Sequence, residues 1–436
     1  MSVSRPIHVD DKQLRQHRHM QVNSFSDTET LVQAIAARPG FAGTNPLCHL
    51  ALLARRKTVH FTDIEEAIAT DKLLVRAGAF RAALFVLSAR DYPTYFQALK
   101  PVLKDAGMAY LHQHNMSHRT LENCANVLEK QSWDGHCLQA QEILRMLYPK
   151  ASQRPQGDLA GLILRKLCDM GVLLRTSTKG PQSNQFAYGL MNEWFPKIPT
   201  SRARSASAQA RMIRLYLKCY GPATEQDIAY WTGLDLKIVK QALQKLQRYL
   251  VWFRISNQQQ LFAGVSDTLR NPDNKPEDCE DIVFLPPWDP YTLGWQDKKF
   301  FLDKKWEPWV YSTPTNSAGV IVEWGKVVGV WQLQRGAGGT AAILQYHVFQ
   351  NDSEWEKSVL QHAHQHAIVL QKAFNLPAVS VQKHPLPVET LTQRPRGSFL
   401  WPLGKQTPQQ TSLLERRHRN TFRSNYLQKE PTTNST

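Results

Sequence analysis

Asp289 stands in "PPWDPY", a stretch that could do chemistry. Two prolines stiffen its approach, and Pro290 holds Asp289 in extended geometry. A carboxylate fixed beside two aromatic residues can orient a water or stabilise a cation. It can equally cap a turn through an Asx hydrogen bond, and on local physics the turn is the stronger reading. His362 and His366 are four apart on a helical pattern, a spacing that suits a metal, but no H-E-x-x-H motif or nearby third ligand accompanies them. They read as ordinary surface or interface histidines, so no metal is expected. "RGAGGT" lacks the G-x-x-x-x-G-K-[ST] phosphate loop and reads as a hairpin turn. No nucleotide cofactor, and no cofactor of any other kind, is therefore expected. There is no G-x-S-x-G elbow.

A second chemistry is written in "YGPATEQDIAYWTGLDLKIVKQALQKLQRYL", residues 220–250. Thr224 and Asp227 form a capping box, Gly233 ends the first helix, and Asp235 caps the second. Leu236, Val239, Ala242, Leu243 and Leu246 make an apolar stripe that must pack on the first helix. Lys237, Lys240, Gln241, Gln244, Lys245 and Arg248 recur on the opposite side, and no carboxylate of that helix lies among them. "RYLVWFRISNQQQLFAGV" follows as strand, turn and strand, which is a wing. Such a helix face suits phosphates, with glutamine able to reach base edges, although a solvated face has the same composition.

The elements that must hold these residues follow from the rest of the chain. Its 436 residues suffice for three or four domains, and 53 Lys+Arg against 37 Asp+Glu give a net charge of +16. That balance favours a polyanionic partner, nucleic acid or an anionic membrane surface. No apolar run approaches the roughly 20 residues of a spanning helix, and the N-terminus lacks a signal peptide's apolar stretch. Six scattered cysteines without C-x-x-C suit reduced thiols in the cytoplasm. The expected fold class is α+β: three tandem winged-helix units followed by a strand-rich C-terminal domain, whose β-barrel-like form is what the resemblance given next implies. The expected divisions are a loose arm at 1–25, winged-helix units at 26–115, 116–200 and 206–272, the barrel with its C-terminal helix at 280–380, and a disordered basic tail at 381–436. A further capping box is expected at Thr62 and Glu65, and "KIPTSRARSASAQA" reads as a linker.

Three stretches then resemble the AlkZ-like winged-helix DNA glycosylases, over roughly residues 28 to 375. "LLVRAGAFRAALFVLSARDYP" is similar to their "LVR-t-W-l-MRGTLH" stretch. "YGPATEQDIAYWTGL" is similar to "YGPAT-x-x-D-f-a-x-W-x-GL". "LPPWDPYTLGWQ" with "NSAGVIVEWGKVVGVW" is similar to "LP-x-x-DPY-x-x-G" and "vlvdG-x-v-G-tW". The resemblance implies excision of alkylated purines or unhooking of crosslinked bases. It also implies a tandem winged-helix fold clasping duplex DNA in a basic channel. Arg76 and Arg81, in the first stretch, join the expected DNA contacts.

The departures bear on the chemistry. The family carries "GLQ-x-Q" or "GLQ-x-D" before an "LWAR"-like helix, where two polar side chains hold the hydrolytic water. Here "PGFAGTNPL" precedes "LALLARR", and Ala42 and Thr44 occupy those positions. A register shifted by one brings in Gly43 and Asn45. Arg81 remains from "RGTLH", whereas Ala82, Ala83 and Phe85 replace Gly, Thr and His. Glycosidic cleavage needs a positioned water, so Thr44, Asn45 and Asp289 are the candidates to hold it. The expectation is a monomeric DNA-binding protein of damage recognition or repair with weak or altered base excision. The alternative is a non-catalytic DNA-binding protein or a transcriptional regulator.

Overall fold

The computed structural model describes residues 6–383, apart from 24, 26–28, 57–58, 179, 181–182, 196–204, 257, 266–280, 314–315, 336–340 and 350–352. The expected basic tail beyond Lys383, the glycines of "RGAGGT" and the first part of the expected linker lie outside the described residues, whereas residues 381–383 end a strand. The described chain is α+β, with most helices in the first 250 residues and its two longest strands, Lys326–Arg335 and Ala341–Val348, after 280.

The strands Leu74–Gly78 and Leu84–Ser88 form a hairpin, as do Leu173–Thr178 and Phe186–Leu190. These hairpins do not stand apart. They meet at Arg76 opposite Arg175 and fuse into one six-stranded sheet, edged by the short strands Phe41–Ala42 and Leu138–Gln139. Helix Phe61–Ala69 packs on this sheet, but the box expected from Thr62 and Glu65 does not form. Instead His60 precedes the helix and its N–H donates to Asp63 Oδ2 at 2.9 Å, which leaves Glu65 free for other partners.

In the helical pair after residue 220 the local signals are realised. Asp227 N–H donates to Thr224 Oγ1 and Thr224 N–H to Asp227 Oδ2, each at 3.0 Å. Gly233 ends helix Glu225–Thr232 in the left-handed conformation, φ 76°. A Cβ there would also press on Arg81 Cα, so glycine serves both turn and packing. Asp235 accepts from Lys237 N–H at 2.7 Å and starts helix Leu236–Leu246. Val239, Ala242, Leu243 and Leu246 are buried as the stripe required. The hairpin Leu250–Ile255 with Leu261–Val265 follows.

Of the segment expected as a loose arm, the described residues from Pro6 on are built into the fold. Ile7–Val9 pairs in parallel with Phe253–Ile255 as a third strand. Helix Asp11–Asn23 then buries Leu14, Met20 and Val22. Its polar residues are used as well: the Arg18 guanidinium donates to the Pro222 carbonyl at 2.7 Å and lies 4.3 Å from the centre of the Trp295 ring. Composition alone made this segment look unstructured, but its polar groups find partners far along the chain.

The last sheet runs Ile282–Leu285, Gly319–Glu323, Lys326–Arg335, Ala341–Val348 and Ala378–Lys383, backed by helix Ser353–Ala373. Trp324 and Gly325, both at positive φ (42° and 83°), make the tight hairpin between Glu323 and Lys326. This sheet is a half barrel with distinct edge strands. One apolar core runs from Val75 and Phe85 through Leu99, Tyr216 and Trp231 to Val320 and Val330. It welds the hairpin of Leu74–Gly78 and Leu84–Ser88 to the helical pair and to the half barrel.

Candidate functional site

Burial alternates along residues 41–45: Phe41, Gly43 and Asn45 are buried, whereas Ala42 and Thr44 are partly open. The strand itself ends at Ala42, and Thr44 lies in the bend that follows it. Ala42 pairs with Phe85, and Gly43 N–H donates to the Leu84 carbonyl at 2.7 Å. Residues directly opposite in a sheet project to the same side, so the wall beside Ala42 is the Phe85 ring. That ring packs edge-on against Trp231 at 5.7 Å. The neighbouring strand thus adds no hydrogen-bonding side chain at Ala42.

Asn45 is spent on structure. Its Nδ2 donates to Thr178 Oγ1 at 3.1 Å and to the Ser183 carbonyl at 3.0 Å. Its backbone N–H donates to Asn184 Oδ1 at 2.9 Å, and Asn184 Nδ2 returns a bond to the Asn45 carbonyl at 3.3 Å. Arg76 donates to Asn45 Oδ1 at 3.4 Å. With Asn45 only 2% exposed, its amide pins the bend after strand Phe41–Ala42 to Thr178 and Ser183 and is not open to a substrate water.

Arg76 is corrected in the same way. Its side chain is out of water, paired with Glu65 at 2.6 Å and donating to the Thr176 carbonyl at 3.0 Å. It cannot also reach a phosphate. Arg81 donates to the carbonyls of Tyr230 and Trp231, at 3.0 and 3.3 Å, and lies over both rings. Burial lowers its pKa, partly offset by the nearby Tyr230 hydroxyl. Arg81 caps the C-terminal end of helix Glu225–Thr232 and is a strut, not a free cation. Arg165 in turn donates to the Ala82 carbonyl, so the turn that bears Arg81 is held from both sides.

Asp289 caps a short helix through Tyr291 N–H, at 2.8 Å. Its two oxygens also accept from the two terminal nitrogens of Arg55, at 2.7 and 2.8 Å. The turn reading of "PPWDPY" is thereby realised, and the carboxylate is closed to a substrate water. Of Thr44, Asn45 and Asp289, Thr44 alone is partly open, as Ala42 is.

Lys298, eight residues after Pro290 and within "GWQDKKFF", shows how the motif is anchored. Its ammonium donates to the Thr292 carbonyl at 3.1 Å, to the Tyr230 hydroxyl at 3.3 Å and to the Trp295 carbonyl. Burial, with the Arg81 cation nearby, pushes its pKa down to about 7.

Lys237, Lys240, Gln241, Gln244, Lys245 and Arg248 are all exposed on one face of helix Leu236–Leu246 and its continuation. One carboxylate does approach: Glu225, from the preceding helix, lies 3.7 Å from Lys240. The periodicity of a single helix could not reveal that neighbour. His362 and His366 do not converge. His362 Nδ1 bonds the Ser358 carbonyl, and His366 stacks on Phe284 and meets Trp331 edge-on.

A family model described as DNA glycosylase AlkZ-like matches residues 42–366, beginning at the strand just described. The chain belongs to the AlkZ-like DNA glycosylase family. Among solved structures, the DNA glycosylase AlkZ of Streptomyces sahachiroi is similar, with a TM-score of 0.67 and 16% identity over 87% of this chain and 100% of that one. At that identity the likeness speaks for the fold. No curated protein matches. No helix among the described residues is long and apolar enough to cross a membrane. Within this AlkZ-like framework, the partners that sequence reading missed are Arg55, Glu65, Thr178 and Asn184. Each is an ordinary polar residue whose role exists only once distant segments meet.

Proposed function

We propose that this AlkZ-like chain binds duplex DNA as a tandem of three winged-helix units with a basic face on helix Leu236–Leu246, acts in recognition or repair of DNA damage, and excises bases weakly or not at all. The DNA reading is supported by the net charge of +16, by the exposed lysines of that helix and by the family to which the chain belongs.

The reading of reduced excision rests on one observation. Where the family's polar pair is expected, this chain has Ala42, paired with Phe85, and Thr44 in the bend that follows, and the other two candidates are committed elsewhere. Hydrolysis of a glycosidic bond passes through an oxocarbenium-like state that needs an oriented water. A single short hydroxyl orients such a water poorly. Extrusion of a damaged base depends on stacking and pocket shape more than on the water, so lesion binding can outlast cleavage. The deciding experiment incubates the protein with a duplex carrying one 7-alkylguanine and assays abasic sites. Binding with little or no abasic product supports the proposal, and rapid product formation overturns it.

A further inference from the structure

We infer that Arg214, Arg248 and Tyr249 form a platform for an unpaired nucleic-acid strand beside the duplex-binding face. The inference rests on the DNA-binding reading above and extends it to a second kind of strand. Tyr249 follows the end of the basic helix and is 40% exposed. The Arg248 guanidinium lies 4.7 Å from its ring centre, and the Arg214 guanidinium, from helix Ser205–Tyr220, lies 5.0 Å away. Both arginines are exposed.

Two like charges gathered on one ring repel each other, and among the described residues neither has a carboxylate partner. Arg211, one turn before Arg214, does have one: Asp91 at 3.2 Å. The uncompensated positive charge is therefore concentrated at Arg214 and Arg248, with exposed Lys218 one turn after Arg214 and exposed Lys245 beside Arg248. An exposed ring with guanidinium planes on it offers stacking to a base, and the same cations take the flanking phosphates. A paired base keeps its faces inside the duplex, so only an unpaired nucleotide can use the stacking surface. The patch is continuous with the duplex-binding face through Arg248, which suits a strand that leaves the helix end or a gap.

The test compares, by fluorescence anisotropy at low salt, a blunt duplex with the same duplex carrying a thymidine tail of about ten nucleotides, the span of one small single-strand site. The wild type is expected to bind the tailed duplex at least about fivefold more tightly, the lower end for one stacked base. Tyr249→Ala and Arg214→Gln should each erase that gain while leaving blunt-duplex affinity within about twofold. Tyr249→Phe should retain it, because the ring and not the hydroxyl stacks. Equal weakening of both DNAs by Tyr249→Ala would assign the patch to the duplex footprint and overturn the inference, as would a tail that adds nothing to wild-type affinity. Blunt-duplex binding by the wild type reports separately on the DNA-binding reading. If that fails, both readings fall.

Discussion

Both carboxylate oxygens of Asp289 are held by the guanidinium of Arg55, at 2.7 and 2.8 Å, and both side chains are fully out of water. The pair joins a residue that follows helix Leu47–Leu53 to the "DPY" turn across 234 positions of sequence. Removing one partner of a buried pair strands the other charge, a loss of about 3–5 kcal/mol. Asp289→Asn should therefore lower unfolding stability by that order in a urea melt. The double change Arg55→Met with Asp289→Leu should recover part of it, because no lone charge remains. A stable Asp289→Asn protein that has lost excision would show instead that the carboxylate works on substrate.

DNA affinity should be steeply salt-dependent. If about six phosphates are neutralised, log K falls against log salt with a slope near −5. Changing Lys240 and Lys245 together to Glu should weaken binding on all sequences alike, with the melting temperature kept within a few degrees, since both side chains are exposed. Glu225 competes with phosphate for Lys240. Glu225→Gln should accordingly tighten binding, by no more than about fivefold, the upper range for an exposed pair. Unchanged affinity in both variants would mean that the DNA lies elsewhere.

These residues also mark what the sequence could reveal. The Thr224–Asp227 box, the Asp235 cap and the buried stripe of helix Leu236–Leu246 were legible because each depends on neighbours within a few positions. The Arg55–Asp289 pair, the junction of Arg76 with Arg175 and the pairing of Ile7–Val9 with Phe253–Ile255 were not, because no local pattern encodes a partner so far along the chain. Arg76 and Arg81 were read as DNA contacts for the same reason. A cation in a strand or turn is written identically whether it meets a phosphate or a buried carbonyl. At the candidate site, the sequence supplied Ala42 and Thr44 but not the Phe85 wall beside Ala42, nor the bonds that withdraw Asn45.

Lys298 should make stability depend on pH. Its folded pKa is pushed down to about 7, whereas an unfolded lysine keeps its proton to about 10.4. Between those values the unfolded chain binds the extra proton, so raising the pH favours the folded state. The penalty is full below about pH 7 and fades as the amine loses its proton. The stability of the wild type relative to Lys298→Met should therefore improve from pH 6 to pH 9, measured by urea melts across the range. A flat difference would mean that the oxygens of Thr292, Trp295 and Tyr230 keep the ammonium charged in the fold.

The last prediction concerns excision itself. Release of 7-alkylguanine should be absent, or at least about 100-fold slower than in a family enzyme with both polar residues, which corresponds to about 2.7 kcal/mol in the barrier. The cause is local: Ala42 offers no hydrogen bond, its cross-strand neighbour is the Phe85 ring, and Thr44 carries a single short hydroxyl. Both positions are partly open, so longer side chains can be accommodated without entering the core. Ala42→Gln with Thr44→Gln should restore measurable excision, read as abasic sites under single-turnover conditions. Phe85→His in that background should raise it further if an imidazole beside residue 42 helps to hold the water. Thr44→Ala alone should change little, because little activity depends on it. Robust excision by the unaltered protein, lost in Thr44→Ala, would show that one threonine suffices to orient the water and would overturn this account.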